Sequence, residues 1–283
     1  MSFIYMFLSA FLENFLYKKI NSYENRNFQS FLMFLISSII LLIIYSFMYD
    51  FNKEDFSFIY EWKFYLLNLL ELFVFYLYRE NYHQNSGNYT MINMFVFSTI
   101  YLMPILAFFY NSIFIFNKNL DIQYDSFFEA TVFSFILFAL TLFYYVDKIK
   151  NRKIKNLPLL LLLLFTLLNT MYFSVKIVQT YNGFLVYSFI QFLIAINFFI
   201  LSRKESKTIT IKKILLYTVW PFIYFLYFIA ASLIAVEFIT IFKRVSQIIA
   251  AMIIDKKVII KDAILIAMII FISILFYLYK VKI

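Results

Sequence analysis

The stretch VEFITIFKRVSQIIAAMIID, residues 236–255, is apolar over most of its length, yet Lys243 and Arg244 stand side by side near its middle and Glu237 lies upstream. Twenty residues make a helix about 30 Å long, the thickness of a bilayer's hydrocarbon core. A cation at that depth costs a few kcal/mol even on insertion scales. The fold must therefore bring partners to two adjacent cations that their own helix cannot supply. Glu237 is seven residues from Arg244, on the same face but about 10.5 Å away along the axis. Lys243 is rotated by about 100° from Arg244, so a single upstream carboxylate cannot neutralise both.

The rest of the chain has the same character. Its 283 residues are 64% hydrophobic and 14% charged, where a soluble domain has roughly 45–50% and 25%. Apolar runs of about 20 residues recur along its length, continuous rather than alternating, so helices are expected and a β-barrel is excluded. The longest polar stretch is about a dozen residues, which leaves no room for a soluble domain. The first apolar run begins at Phe3 with no cationic segment before it, so it is expected to stay as a helix rather than be removed as a signal peptide.

The net charge is +9. In a soluble protein that would suggest nucleic acid; here the cations fall between apolar runs, where they set topology and meet lipid headgroups. Membrane lipids are expected partners and nucleic acid is not. There is no cysteine and one histidine, His83, so thiol chemistry and His-rich or Cys-based metal sites are excluded. No phosphate-binding loop and no nucleophile–base constellation occurs. No cofactor, no catalytic residues and no ATP-driven pump are expected. Richness in Phe, Ile, Asn, Lys and Tyr reads as AT-rich coding, and the cytoplasmic membrane of a bacterium is the expected location.

Apolar runs between charge clusters predict about ten transmembrane helices, at 3–18, 30–49, 61–79, 90–112, 127–146, 157–177, 183–202, 212–233, 235–254 and 262–280. Only the small-residue run AASLIA, 230–235, separates the eighth from the ninth. The odd-numbered loops carry seventeen cations, among them Lys148, Lys150, Arg152, Lys153, Lys155, Arg203 and Lys204. The even loops and termini carry six: Lys53, Lys63, Lys118, Lys176, Lys280 and Lys282. The bias places the odd loops in the cytoplasm and both termini outside.

The two halves match in pattern. MFVFSTIYLMPILAFF, 94–109, aligns with VEFITIFKRVSQIIAA, 236–251, with Pro104 set against Ser246. Five helices per half have opposite orientations because five is odd, which makes an inverted repeat of residues 1–147 and 157–283 about a basic loop at 148–156. Such repeats build transporters with a solute site near the midplane. The stretch 239–279 resembles the closing helix pair of EamA-like transporters of the drug/metabolite transporter superfamily. FLSAFLENFLYKKI, 7–20, resembles their opening helix, and 89–109 their fourth, with Pro104 at the usual proline. The chain departs from that pattern in having only Gly87 and Gly183, both near loops, so Ala and Ser must provide the close helix contacts. Asp255 alone represents the hairpin acid. The resemblance implies cytoplasmic termini, against the charge bias.

Ionisable groups inside spans are functional-site candidates. A central cavity lined by Glu13, Glu71, Glu237, Lys243 and Arg244 is expected, with Asn14 and Asn169 adding amides and Pro104 and Pro221 as hinges. The expected function is secondary transport of a small amino-acid-like or anionic metabolite by alternating access. A non-transporting membrane component, such as a lipid-carrier flippase subunit or an envelope-assembly partner, is the competing expectation.

Overall fold

A computed structural model describes residues 2–21, 23–84, 96, 98–113, 124, 126–149, 156–232, 235–254 and 260–281. Gly87, Lys118, Asp255, most of the basic loop between the halves and the expected start of the fourth helix lie outside them. The described residues form eleven α-helices and no strand. They are α1 (Ser2–Asn21), α2 (Arg26–Met48), α3 (Trp62–Gln84), α4 (Thr99–Ile113), α5 (Phe127–Ile149), α6 (Leu157–Thr180), α7 (Gly183–Leu201), α8 (Ile211–Tyr217), α9 (Trp220–Ala231), α10 (Val236–Ile254) and α11 (Ile260–Val281). A 3₁₀ segment, Lys53–Tyr60, joins α2 to α3, and a short one, Ser202–Lys204, follows α7.

Four stretches are long and apolar enough to cross a membrane: Arg26–Met48, Leu157–Thr180, Gly183–Lys204 and Ile211–Ala231. Shorter apolar helices occupy Ile4–Leu16, Thr99–Asn111, Phe127–Ala139 and Ile266–Phe276. The outer surface is studded with large apolar side chains such as Phe47, Phe128, Phe135 and Phe271. Helix is the structure in which such segments satisfy their own backbone groups without water.

Several boundaries differ from expectation. α2 starts at Arg26, and α3 runs on past Arg79 to Gln84. Apolar runs end at the first charge, but a helix carries on through a polar turn. The eighth helix is broken at Thr218–Val219 into α8 and α9. Pro221 is the second residue of α9, a position that needs no N–H donor, rather than a hinge inside one unbroken helix at 212–233. Lys176, counted with the loops, is fully buried in α6, its ammonium 5.8 Å from the Tyr172 ring. Gly183 does serve close approach: a Cβ there would stand 3.1–3.3 Å from the Phe228 ring. Asn182 caps α7 just before it, accepting from the Phe184 and Leu185 N–H groups.

The most extensive packing crosses between the halves. α2 lies on α7, α3 on α6, and α1 against both α9 and α10; α4 packs on α5 and α10, and α5 on α11. Buried small residues recur in these helices, including Ala10, Ser37, Ser188, Ala195 and Ala230. Phe34 of α2 is a central node, with its ring centroid 4.8 Å from Phe75, 5.8 Å from Phe198 and 5.9 Å from Trp220.

The two ends of this bundle are closed by different chemistry. At the end of the odd loops, Glu205 accepts from Asn27 Nδ2 at 2.6 Å and from the Phe28 N–H at 2.9 Å. Arg79 Nη1 donates to Asn27 Oδ1 at 2.5 Å. Asn25 Nδ2 donates to the Ser206 carbonyl and Gln29 Nε2 to that of Thr208. Segment 202–210 of the second half is thereby tied to the first. At the other end the halves meet through rings. Phe58 meets Phe189 and Tyr181 edge to face, as Phe56 meets Phe189 and Trp62 meets Phe173.

Candidate functional site

Between these closures lies a cavity of about 50 Å³, large enough for only a few water molecules. Six helices wall it. Its polar lining includes Glu13 from α1, Glu71 from α3, Ser174 from α6, Tyr187 from α7, Tyr227 from α9, and Lys243, Arg244 and Gln247 from α10.

α10 sets the geometry. Gln247 follows Lys243 by four residues and Arg244 by three, so the three side chains share one flank of the helix. Lys243 Nζ lies 3.6 Å from Glu13 Oε2, and its ammonium stands 5.0 Å from the Tyr227 ring centroid. Gln247 Nε2 donates to the same Glu13 oxygen at 3.2 Å. The Gln247 backbone carbonyl accepts from Asn14 Nδ2 at 3.0 Å. These contacts fasten α1 to α10.

Arg244 is 1% exposed. Its Nε donates to Thr99 Oγ1 on α4 at 3.1 Å, and Nη1 donates to Gln247 Oε1. Its Nη2 is buried and makes no hydrogen bond among the described residues. Lys243 is thus matched by a carboxylate and a ring face, whereas the hydrogen bonds of Arg244 go to neutral oxygens. A buried guanidinium held this way, with the Glu13 carboxylate in the same cavity already paired to Lys243, keeps a partly uncompensated positive potential at the cavity wall.

The opposite wall carries the second carboxylate. Glu71 Oε1 accepts from the Tyr187 hydroxyl at 3.1 Å. Tyr187 is hydrogen-bonded to Ser174 Oγ, which lies 3.0 Å from the Tyr227 hydroxyl. A chain of hydroxyls therefore runs from Glu71 to the ring on which Lys243 rests. Trp220 Nε1, donating to Gln191 Oε1 at 3.0 Å, closes one side.

The structure brings Glu13, Glu71, Lys243 and Arg244 together and leaves the other expected residues outside the wall. Glu237 is buried in the first turn of α10, away from the cavity lining. It sits beside Tyr124, where burial and then the Glu237 carboxylate hold the phenol well above its ordinary range. Sharing a helix face with Arg244 is not enough, because two turns carry Glu237 beyond the cavity. Asn14 acts through Gln247 rather than from the wall. Asn169 accepts from the Tyr110 hydroxyl at 2.5 Å, linking α6 to α4. Pro104 lies inside α4, five residues after Thr99.

Gln247, Thr99, Ser174, Tyr187 and Tyr227 were not read from the sequence. The spacing of Gln247 from the two cations was a usable signal. The tyrosines had none, being two of 24.

No protein-family model matches the sequence, and no curated protein is significantly similar to it.

Proposed function

We propose that the protein is a polytopic membrane protein of ten spans, a secondary transporter whose solute site is the central cavity. The observation that carries this reading is Arg244, a buried guanidinium with a free Nη2 edge at the wall of a closed polar cavity. A site with one unmatched cation, one ion pair and a hydroxyl-bound carboxylate suits a small anionic or zwitterionic metabolite. The solute's anionic group meets Arg244; Glu71 and the tyrosine hydroxyls meet its remaining polar groups. The small closed volume fits an occluded state, entered from either end in turn by parting the polar or the aromatic closure.

The helix contacts support an inverted repeat. Counting α8 and α9 as one span, replace each helix by the one five spans later. The α3–α6 contact becomes α9–α1, α1–α10 becomes α6–α4, and α4–α5 becomes α10–α11; α2–α7, α4–α10 and α5–α11 map onto themselves. A twofold relation in the membrane plane produces this pattern. The resemblance to EamA-like transporters agrees with it, and the cytoplasmic membrane of a bacterium is the proposed setting.

The test is thermal stabilisation of purified protein against a panel of small anions and amino acids, followed by flux of any hit in proteoliposomes. A hit that the wild type shows and Lys243→Ala/Arg244→Ala loses supports the reading. A double variant that melts much lower, with no hit for the wild type, favours a structural ion network in a non-transporting membrane component.

A further inference from the structure

On the outer surface, away from the central site, α3 and α7 diverge and leave an apolar cleft of about 220 Å³. Leu72, Phe73 and Tyr76 form one wall, and Phe198, Ile200 and Leu201 the other. Asn197, also at the cleft, donates its amide to the Leu193 carbonyl of its own helix at 2.9 Å, so it presents no strong polar demand. Such a trough suits a hydrocarbon chain.

Its end at the odd loops is cationic. The Arg79 guanidinium lies 5.4 Å from the ring centroids of both Tyr76 and Phe198, two residues of the cleft. Arg79 is 3% exposed, and its Nε makes no hydrogen bond among the described residues, the Glu80 carboxylate being 4.0 Å away. Arg203 and Lys204 follow Leu201 after the buried Ser202 and are exposed. The carboxylate between them and α2, Glu205, is already held by Asn27 and the Phe28 N–H. An apolar trough ending in three cations matches the two chemistries of one molecule type.

We propose that this cleft is a binding site for an anionic phospholipid, with an acyl chain between α3 and α7 and the phosphate at Arg203 and Lys204, beneath the potential of Arg79. The site rests on the membrane-spanning reading, which is checked separately by recovery of the chain in carbonate-washed membranes. It is independent of transport.

The experiment incubates detergent-purified protein with equimolar phosphatidylglycerol and phosphatidylcholine and counts retained lipids by native mass spectrometry. A cation near an anionic surface contributes about fivefold in affinity. Wild type should therefore retain phosphatidylglycerol about 25-fold over phosphatidylcholine. Arg203→Ala/Lys204→Ala, both exposed and harmless to folding, should bring that ratio near one. Ile200→Trp, which fills the cleft, should remove both lipids. Equal retention of the two lipids by wild type overturns the proposal, as does a preference unmoved by the charge variant. So does a two-chain mass that Ile200→Trp converts to one chain, which would assign the cleft to a second copy.

Discussion

Lys243 and Glu13, one in α10 and the other in α1, are 230 positions apart in the chain and meet at 3.6 Å. Gln247 bonds the same carboxylate oxygen, which thus takes two contacts from α10, beside the Asn14 amide bonded to the Gln247 carbonyl. Removing either ion should leave the other, largely shielded from solvent, without its nearest counter-charge.

Glu13→Gln and Lys243→Met should each lower unfolding stability by about 1–3 kcal/mol. The double variant should be more stable than the sum of the two losses implies, because no lone charge remains. A thermal-melt double-mutant cycle in detergent checks this. Strict additivity would mean that the pair contributes nothing as a pair.

Arg244→Lys keeps the charge but not the planar fork that reaches Thr99 and Gln247 together. Solute affinity should fall at least tenfold, while Arg244→Lys should still fold and purify as wild type does. Titration calorimetry with the stabilising solute measures the change. Unaltered affinity would mean that only net charge matters at this wall.

Glu205→Ala removes two of the bonds that tie segment 202–210 to the start of α2, leaving those of Asn25 and Gln29. Hydrogen bonds to a charged group contribute about 1.5–3 kcal/mol each, so the odd-loop end should open at least tenfold more often. The chain has no cysteine, so Ser9→Cys on the cavity wall gives a single reporter. Its labelling by a charged maleimide should quicken by that factor in Glu205→Ala. An unchanged rate would show that the seam is not what closes this end.

Phe34→Ala should be among the most destabilising single changes, costing about 3 kcal/mol, because its ring joins α2 to α3, α7 and α9 at once. Phe47→Ala, at a residue 86% exposed, should leave the melting point of detergent-solubilised protein unchanged.

What the sequence made legible follows from contrast. Glu13, Glu71, Lys243 and Arg244 stand out because charge is rare in apolar runs, and burial must be justified by a partner. Glu237 stood out equally, yet it belongs to a neighbouring contact with Tyr124. Periodicity gives a residue's face, not its depth relative to a cavity that other helices define. Lys176 was misread for the reverse reason: its nearness to a loop suggested exposure, while the Tyr172 ring and the packing of α6 bury it. The hydroxyl chain through Tyr187, Ser174 and Tyr227 was invisible because aromatic residues are everywhere in this sequence. The break before α9 went unread because Pro221 marks a helix start as readily as a kink.

The unlike closures at the two ends carry a thermal consequence. Parting the Glu205 seam exchanges protein hydrogen bonds for those of water and wets little hydrocarbon. Parting Phe58, Phe189 and Trp62 from their neighbours exposes aromatic surface, which raises heat capacity. The two openings therefore depend on temperature differently, the aromatic one with a curved van't Hoff plot and the polar one with a nearly straight plot. For a transporter of the kind proposed, the side on which the cavity communicates with solvent would then be set partly by temperature, with no change in solute or membrane potential.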